Sequence, residues 1–445
     1  MSSNSHIDTD EIQRVFELQS QRQWRNKQST AADRVARLTA LKAEIQRREE
    51  AVFEALYSDL RKDRRAAKGD LYTTYAELDD AIAHLEQWMQ PEEVSPSPQF
   101  SQHRARITYE SRGRVLLFGP WNFPLNLIFQ PLTAIVAAGN CAVVKPNEMS
   151  PATSVLCAEI IRSVFDEADV AVMEGGVDLA NRLLELPFDH IFFTGSPAVG
   201  KIVMAAAARH LASVTLELGG KNPVIVDRSA DIAATAARIA VYRGMNSGQL
   251  CLCPELVWVP EESLDLFLET LQVTFKKSFY TDAQVNGDAL GKIIDQRNFE
   301  RVAGYIEDAV AQGATLVCGG KVDAASRTIE PSVVVNLPET ARMDKEEVFG
   351  PILSVYTYRE MDEVYRALHR RHKPLALYIF SRDDAFVDEV LANTSSGGVT
   401  VNDCLMHCVE HRLPFGGINH SGIGAYHGEH GFRELSHARS VLLAP

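Results

Sequence analysis

A thiolate nucleophile needs exposure and nearby backbone N–H groups, which a packed core does not supply. The stretch Gly244-Met245-Asn246-Ser247-Gly248-Gln249-Leu250-Cys251-Leu252-Cys253-Pro254 is small, polar and glycine-bearing, and it carries two cysteines. An apolar helical run over 231–242 precedes it and a strand-like run over 255–259 follows. A tight loop between two regular elements is a good place for a nucleophile. Taken alone, Cys251 and Cys253 read more simply as small hydrophobes in a turn.

Four upstream features change that balance. Phe118-Gly119-Pro120-Trp121-Asn122-Phe123-Pro124 follows a buried strand and holds an amide between two prolines. Such an amide can donate a fixed hydrogen bond to an oxyanion; alone, the stretch reads as a structural turn. Val144-Lys145-Pro146-Asn147-Glu148 puts a lysine and a carboxylate just past a strand end, where they can hold ribose hydroxyls or form a solvated charge pair. Phe193-Thr194-Gly195-Ser196-Pro197-Ala198-Val199-Gly200-Lys201 nearly spells a triphosphate-binding loop. Ile202 stands where the magnesium-binding hydroxyl belongs, which excludes a nucleoside triphosphatase. Gly195 and Ser196 at a strand-to-helix turn still direct N–H groups and a helix N-terminus toward a pyrophosphate. In Leu216-Glu217-Leu218-Gly219-Gly220-Lys221, Glu217 ends an apolar strand. A half-buried carboxylate there can act as a general base near neutral pH, or it can pair with Lys221.

The elements that must position these groups follow from periodicity. Residues 8–90 are helical in character, with Val35, Leu38, Leu41 and Ile45 at three- and four-residue spacing, and the proline-spotted 91–98 stops them. Alternation over 104–109 and 113–118 around a polar turn predicts a hairpin that leads into a buried strand. Strands are then expected at 115–118, 141–145, 170–173, 190–193 and 214–218, with helices at 127–138, 150–166 and 199–210 between them. Glycines at strand C-termini in such an alternation indicate an α/β fold with a doubly wound parallel sheet, ligands lying over the carboxyl ends. A second alternating region follows Asn222, with helices at 231–242, 261–278 and 296–312 and strands at 256–259, 315–318, 332–335 and 352–358. The expected division is a cofactor domain over 1–218 with a small β arm near 98–114, an α/β catalytic domain over 219–413, and a segment over 414–445 that returns to the cofactor domain or to a partner subunit.

Composition narrows the function classes. A chain of 445 residues is too long for one compact core. With 46% apolar and 23% charged residues it reads as an ordinary soluble protein. Its 45 basic residues against 59 acidic give a net charge of −14, a poor match to nucleic acid. Seven scattered cysteines without Cys-x-x-Cys spacing argue against disulfides and structural zinc, and suit a cytoplasmic, reducing location. The first ten residues are polar, so no secretory signal is expected, and no run of ~18 apolar residues suggests a membrane span.

Together these motifs, with Glu347-Val348-Phe349-Gly350-Pro351 and Leu413-Pro414-Phe415-Gly416-Gly417, resemble the aldehyde dehydrogenase superfamily. The likeness spans about 111–421 and is greatest to class 3, the fatty and aromatic aldehyde group that neighbours bacterial coniferyl-type enzymes. The resemblance implies that Cys251 attacks an aldehyde carbon while Asn122 and the Cys251 N–H hold the oxyanion. Hydride then passes to a nicotinamide, and Glu217 activates the water that hydrolyses the thioester. It implies NAD or NADP held by Pro120, Trp121, Lys145, Glu148, Gly195, Ser196, Val199, Leu218, Gly219, Glu347 and Phe349, with Lys145 and Glu347 on the riboses. Glu148 leans toward NAD. It also implies a small-molecule aldehyde substrate and a homodimer. Leu250 departs from the family's usual threonine-like residue, and Cys253 matches no catalytic position. A CoA-acylating enzyme or a catalytically silent protein of the same fold are the alternatives. No metal is expected: His407, Cys408 and His411 lack a further ligand run and are read as lining the substrate entrance, with His420, His427, His430 and His437 at the surface or an interface.

Overall fold

The computed structural model describes residues 9–445; the reading of the polar N-terminus falls almost wholly on earlier residues and lies outside those described. The helical N-terminal quarter forms as its spacing predicts. The Ala31–Arg47 helix opens on a capping box, with Asp33 N donating to Thr30 Oγ1 at 3.2 Å and Thr30 N to Asp33 Oδ2 at 2.9 Å. Its Leu38, Leu41 and Ile45 are buried. The Arg64–Trp88 helix is capped by Asp63 and presents Leu71, Leu78 and Leu85 to the same core.

The first large sheet runs in the order Gly422–Ile423, Ser213–Glu217, His190–Thr194, Arg114–Phe118, Cys141–Lys145, Val170–Val172. The last five strands are parallel, as a doubly wound sheet requires; Gly422–Ile423 adds to the edge antiparallel. Both faces are covered. Val115 and Leu117 pack with Leu132 and Ile135 of the Asn126–Ala137 helix on one side. Leu116 and Phe118 pack with Ile12, Phe16 and Val203 on the other. Strands apolar on both faces read as continuous hydrophobic runs for this reason.

The second sheet runs Thr315–Cys318, Ser332–Val335, Ile352–Tyr358, Pro254–Pro260, Asn222–Val226, Ala376–Phe380, Gly398–Val401, parallel except at its first strand. A third, antiparallel sheet joins Glu92–Val94, Arg104–Ser111 and Ser436–Leu443. This corrects the expected hairpin. Arg104–Ser111 does not pair with Arg114–Phe118; it pairs along its whole length with the C-terminal strand, from Arg104↔Leu443 to Ser111↔Ser436. The cause lies at the turn. Gly113, at φ +133°, gives its N–H to Asn140 Oδ1 at 2.9 Å and its carbonyl to Cys141 N, which commits the chain to the parallel sheet. Arg112 meanwhile donates to Glu434 O at 2.7 Å. Among the described residues no helix is long and apolar enough to cross a membrane.

Candidate active site

The Ile232–Gly244 helix delivers the chain into a 3₁₀ turn over Met245–Gly248. Asn246, Ser247 and Gly248 all have positive φ there, at 49°, 53° and 70°. Gly248 has no alternative, because a Cβ would overlap the Gly350 carbonyl. Buried Gln249 then fastens the turn. Its Nε2 donates to Asn246 O at 2.9 Å and Lys292 O at 3.0 Å, and its Oε1 accepts from Ile294 N at 3.0 Å. Beyond it, Asn222 Nδ2 donates to Cys251 O at 2.8 Å and Cys253 O at 3.1 Å, and the Tyr378 hydroxyl donates to Leu252 O at 2.6 Å. The carbonyls of the loop are thereby turned into the protein.

This framework separates the two cysteines. Cys253 is 2% exposed and directs its sulfur at Tyr242 O, 3.6 Å away. Leu250 and Leu252 are buried as well, whereas Cys251 between them is partly exposed. Burial foremost, then Cys408, Glu347 and Glu217, raise the Cys251 thiol well above its usual range, and its own N–H opposes that shift.

Asn122 is buried and donates one amide hydrogen to Gln249 O at 3.1 Å, while Asn246 Nδ2 donates to Asn122 O at 3.0 Å. The prolyl turn and the cysteine loop are thus tied directly together. The second hydrogen of the Asn122 amide remains for a ligand. Glu217 is 3% exposed, and neither of its carboxylate oxygens has a hydrogen-bond partner among the described residues. Lys221 is not its partner: that ammonium pairs with Glu255 and donates to Met343 O and Glu346 O at 2.8 Å. Burial, reinforced by Glu434, therefore holds the Glu217 pKa well above the usual carboxylate range.

The remaining expected residues gather along the carboxyl edge of the first sheet. Lys145 ends its strand buried and ion-paired to the half-exposed Glu148. Trp121 meets Phe349 edge-on with centroids 5.4 Å apart, and Phe349 adopts φ 47°. Ser196 caps the Pro197–Ala208 helix by accepting from Val199 N at 3.4 Å, beside the unpartnered buried hydroxyl of Thr194. A Cβ on Gly195 would press into the Phe193 ring. Val199 stands 43% exposed on the first turn of that helix. Pro120 and Leu218 are buried, and Gly219 lies so close to Glu347 that a side chain there would overlap its carboxylate. Burial and Glu255 push the Glu347 pKa up to about 8. Gly195 N donates to Glu217 O at 2.9 Å and is not free for a phosphate. The helix N-terminus, an exposed aliphatic side chain beside it, a lysine–glutamate pair and two aromatic rings fit the parts of a dinucleotide.

Several neighbours were invisible in the sequence. Cys408 raises the Cys251 pKa, Glu434 raises that of Glu217, and Tyr426 is influenced by both Glu217 and Cys251. All three come from the last forty or so residues, which fold back over the site, and no spacing rule connects them to it. The expectation for His427 is the surface or an interface; instead it is buried within the chain, where the turn at φ 82° places its ring among Phe415 and Tyr426. His430 and His437 are exposed, and His420 stacks on His372 at 3.8 Å.

The model of the Aldehyde dehydrogenase family matches residues 2–441. The chain is 39% identical to the dog (Canis lupus familiaris) "Aldehyde dehydrogenase, dimeric NADP-preferring", over 93% of this chain and 90% of that one. It is 40% identical to the "Coniferyl aldehyde dehydrogenase" of Pseudomonas sp. (strain HR199 / DSM 7063), over 92% of this chain and 86% of that one. Among solved structures, Staphylococcus aureus AldH in a substrate-bound state superposes with TM-score 0.93 at 34% identity, covering 98% of this chain and 94% of that one.

Proposed function

The chain belongs to the aldehyde dehydrogenase family, and from that premise we propose that it oxidises hydrophobic aliphatic or aromatic aldehydes to carboxylic acids, with Cys251 as nucleophile and NAD or NADP as hydride acceptor. The observation that carries this reading is the constellation on one rigid frame: a partly exposed Cys251, an Asn122 amide tied to its loop, and an unpartnered Glu217. Cys251 adds to the aldehyde carbon. The free Asn122 amide hydrogen and the Cys251 N–H take the oxyanion, a donor of this kind being worth about 3–4 kcal/mol of barrier. A nicotinamide cofactor held along Lys145, Glu347 and Phe349 would accept the hydride that leaves the former aldehyde carbon as the oxyanion collapses to the thioester on Cys251, and its oxidised ring would add positive charge that favours the thiolate. Glu217, once ionised, removes a proton from the water that attacks the acyl carbon, and the Cys251 sulfur departs.

The coniferyl-named relative supports an aromatic substrate, and the dog relative's name supports NADP as a cofactor to test beside NAD. Glu148 beside Lys145 favours NAD, since a carboxylate in the ribose region repels a 2′-phosphate. Free cysteines throughout the described chain agree with a reducing, cytoplasmic setting. The alternative of acyl transfer to CoA has less support, because that reaction gives Glu217 no water to activate.

A panel of long-chain and aromatic aldehydes, each run with NAD and with NADP and followed by absorbance of the reduced cofactor, tests the reading. Cys251→Ala loses reduced-cofactor production, and Glu217→Gln gives a burst without turnover. Near-normal rates in Cys251→Ala would sink the proposal, and acyl-CoA found as the main product would replace it.

A further inference from the structure

Away from the dinucleotide edge, three side chains from distant segments converge. Glu77 lies in the Arg64–Trp88 helix, His411 follows the short Met406–Val409 helix, and His427 immediately precedes the Gly428–Glu434 helix. One carboxylate oxygen of Glu77 and one ring nitrogen of each histidine all lie within 4.8 Å of one another. Glu77 and His427 are each 1% exposed. Among the described residues, Glu77 Oε2, His411 Nδ1 and both ring nitrogens of His427 have no hydrogen-bond partner. His411 Nδ1 lies 3.6 Å from Glu77 Oε2, too long for a hydrogen bond. Leaving a buried polar group unsatisfied destabilises a fold, so several in one place need an explanation.

The surroundings fix the groups where they are. Glu77 Oε1 accepts from Gly428 N at 2.9 Å, which leaves Oε2 facing the histidines. The His427 ring is stacked on Phe415 at 5.2 Å and meets Tyr426 edge-on at 4.4 Å. We propose that Glu77, His411 and His427 bind one divalent transition-metal ion. Two imidazoles and one carboxylate are the donor set of zinc and its borderline neighbours, whereas magnesium and calcium select oxygen ligands. Bonds of about 2.0–2.2 Å draw the three donors together by on the order of an ångström, and three protein ligands leave a coordination position open. The His411 side chain, 16% exposed, provides the way in. His407 is not part of this cluster, and its Nδ1 is held by Thr400 Oγ1 at 2.7 Å. The set escapes a sequence search because its members are not spaced as a local ligand motif.

The proposal does not rest on the enzyme's chemistry, and its test does not depend on turnover. Because a reactive thiol also binds zinc, the titration uses the full chain carrying Cys251→Ala, freed of metal by chelator. Calorimetry with zinc alone is expected to show one site per chain of micromolar affinity or better. Adding Glu77→Gln or His411→Gln weakens that site at least tenfold while the metal-free melting temperature stays within a few degrees. Unchanged zinc binding in both variants would place the ion elsewhere, and no binding in the parent would leave only a carboxylate–imidazole cluster; either result overturns the proposal. If either variant fails to fold, cobalt(II) added to the parent decides. Absorption of a nitrogen- and oxygen-ligated ion supports the site, and a thiolate charge-transfer band, or no cobalt spectrum, refutes it.

Discussion

At the scale of single residues, the Cys251 loop depends on backbone conformations that only certain side chains tolerate. Gly248 combines φ +70° with contact against the Gly350 carbonyl. Gly248→Ala is expected to cost about 2–4 kcal/mol from the left-handed conformation and the overlap together, read as a lower melting temperature and a shorter half-life on heating. Asn122→Ala is expected to lower kcat by roughly 10²–10³ with a smaller change in KM, because the donor acts on charge that develops in the transition state. A raised KM with kcat unchanged would assign Asn122 to substrate binding instead. The raised thiol pKa of Cys251 sets a pH dependence of its own. Below that pKa the thiolate fraction grows tenfold per unit of pH, so alkylation of the metal- and cofactor-free protein should accelerate steadily from pH 6 to pH 9. A plateau within that range would contradict the buried, anionic surroundings. Asn122, Glu217 and Cys251 could be singled out from the sequence only through the family resemblance, since each stretch taken alone favours a structural turn, a paired carboxylate or a small packed residue. Cys408 and Glu434 could not, because only the fold decides which electrostatic neighbours a buried group acquires.

Among the elements, those with a clear period were legible and those without one were not. The Ile232–Gly244, Leu264–Phe279 and Gln296–Ala311 helices and all the parallel strands of the first sheet lie close to where spacing puts them. Asn222–Val226, Ala376–Phe380 and Gly398–Val401 were passed over, although they pair side by side in the second sheet. The first carries a proline straight after the Gly219-Gly220 break, and the second is a five-residue apolar run that periodicity cannot assign. One buried strand residue makes a testable statement about acid stability. His190 in His190–Thr194 has its Nδ1 2.8 Å from Ser213 Oγ and its Nε2 3.1 Å from Thr215 Oγ1, and burial pushes its pKa down to about 3. Above pH 6.5 the ring is neutral whether the chain is folded or not, and it contributes no pH dependence. Below pH 6.5 only the unfolded chain takes up the proton, so stability falls as pH drops toward 3, by at most about 1.4 kcal/mol per unit. Melting curves between pH 5 and 7 should therefore be flatter by about one proton in His190→Gln than in the parent. Identical slopes would mean that the histidine titrates normally in the folded state.

For the whole molecule, the open question is what covers the third sheet. Ser436–Leu443 lies at its edge, bonded only to Arg104–Ser111, and most of its side chains are exposed. An edge strand of eight residues leaves a row of backbone donors and acceptors free to template another strand, which folded proteins normally cover or blunt. We propose a second copy of the chain as that cover, the homodimer that the family resemblance leads one to expect. In a symmetric pair the same surface serves on both partners. Removing residues 436–445 takes away that edge, and it also strips Arg104–Ser111 of its longer partner. The truncated chain is expected to elute at half the mass of the full-length protein in light scattering, and to melt lower because a buried contact is lost. Light scattering that gives a monomer for the full-length chain at micromolar concentration would remove this role from the sheet. The exposed edge would then need another explanation, and the strand's value would lie in holding the C-terminal segment, with Tyr426 and Glu434, against the Cys251 site.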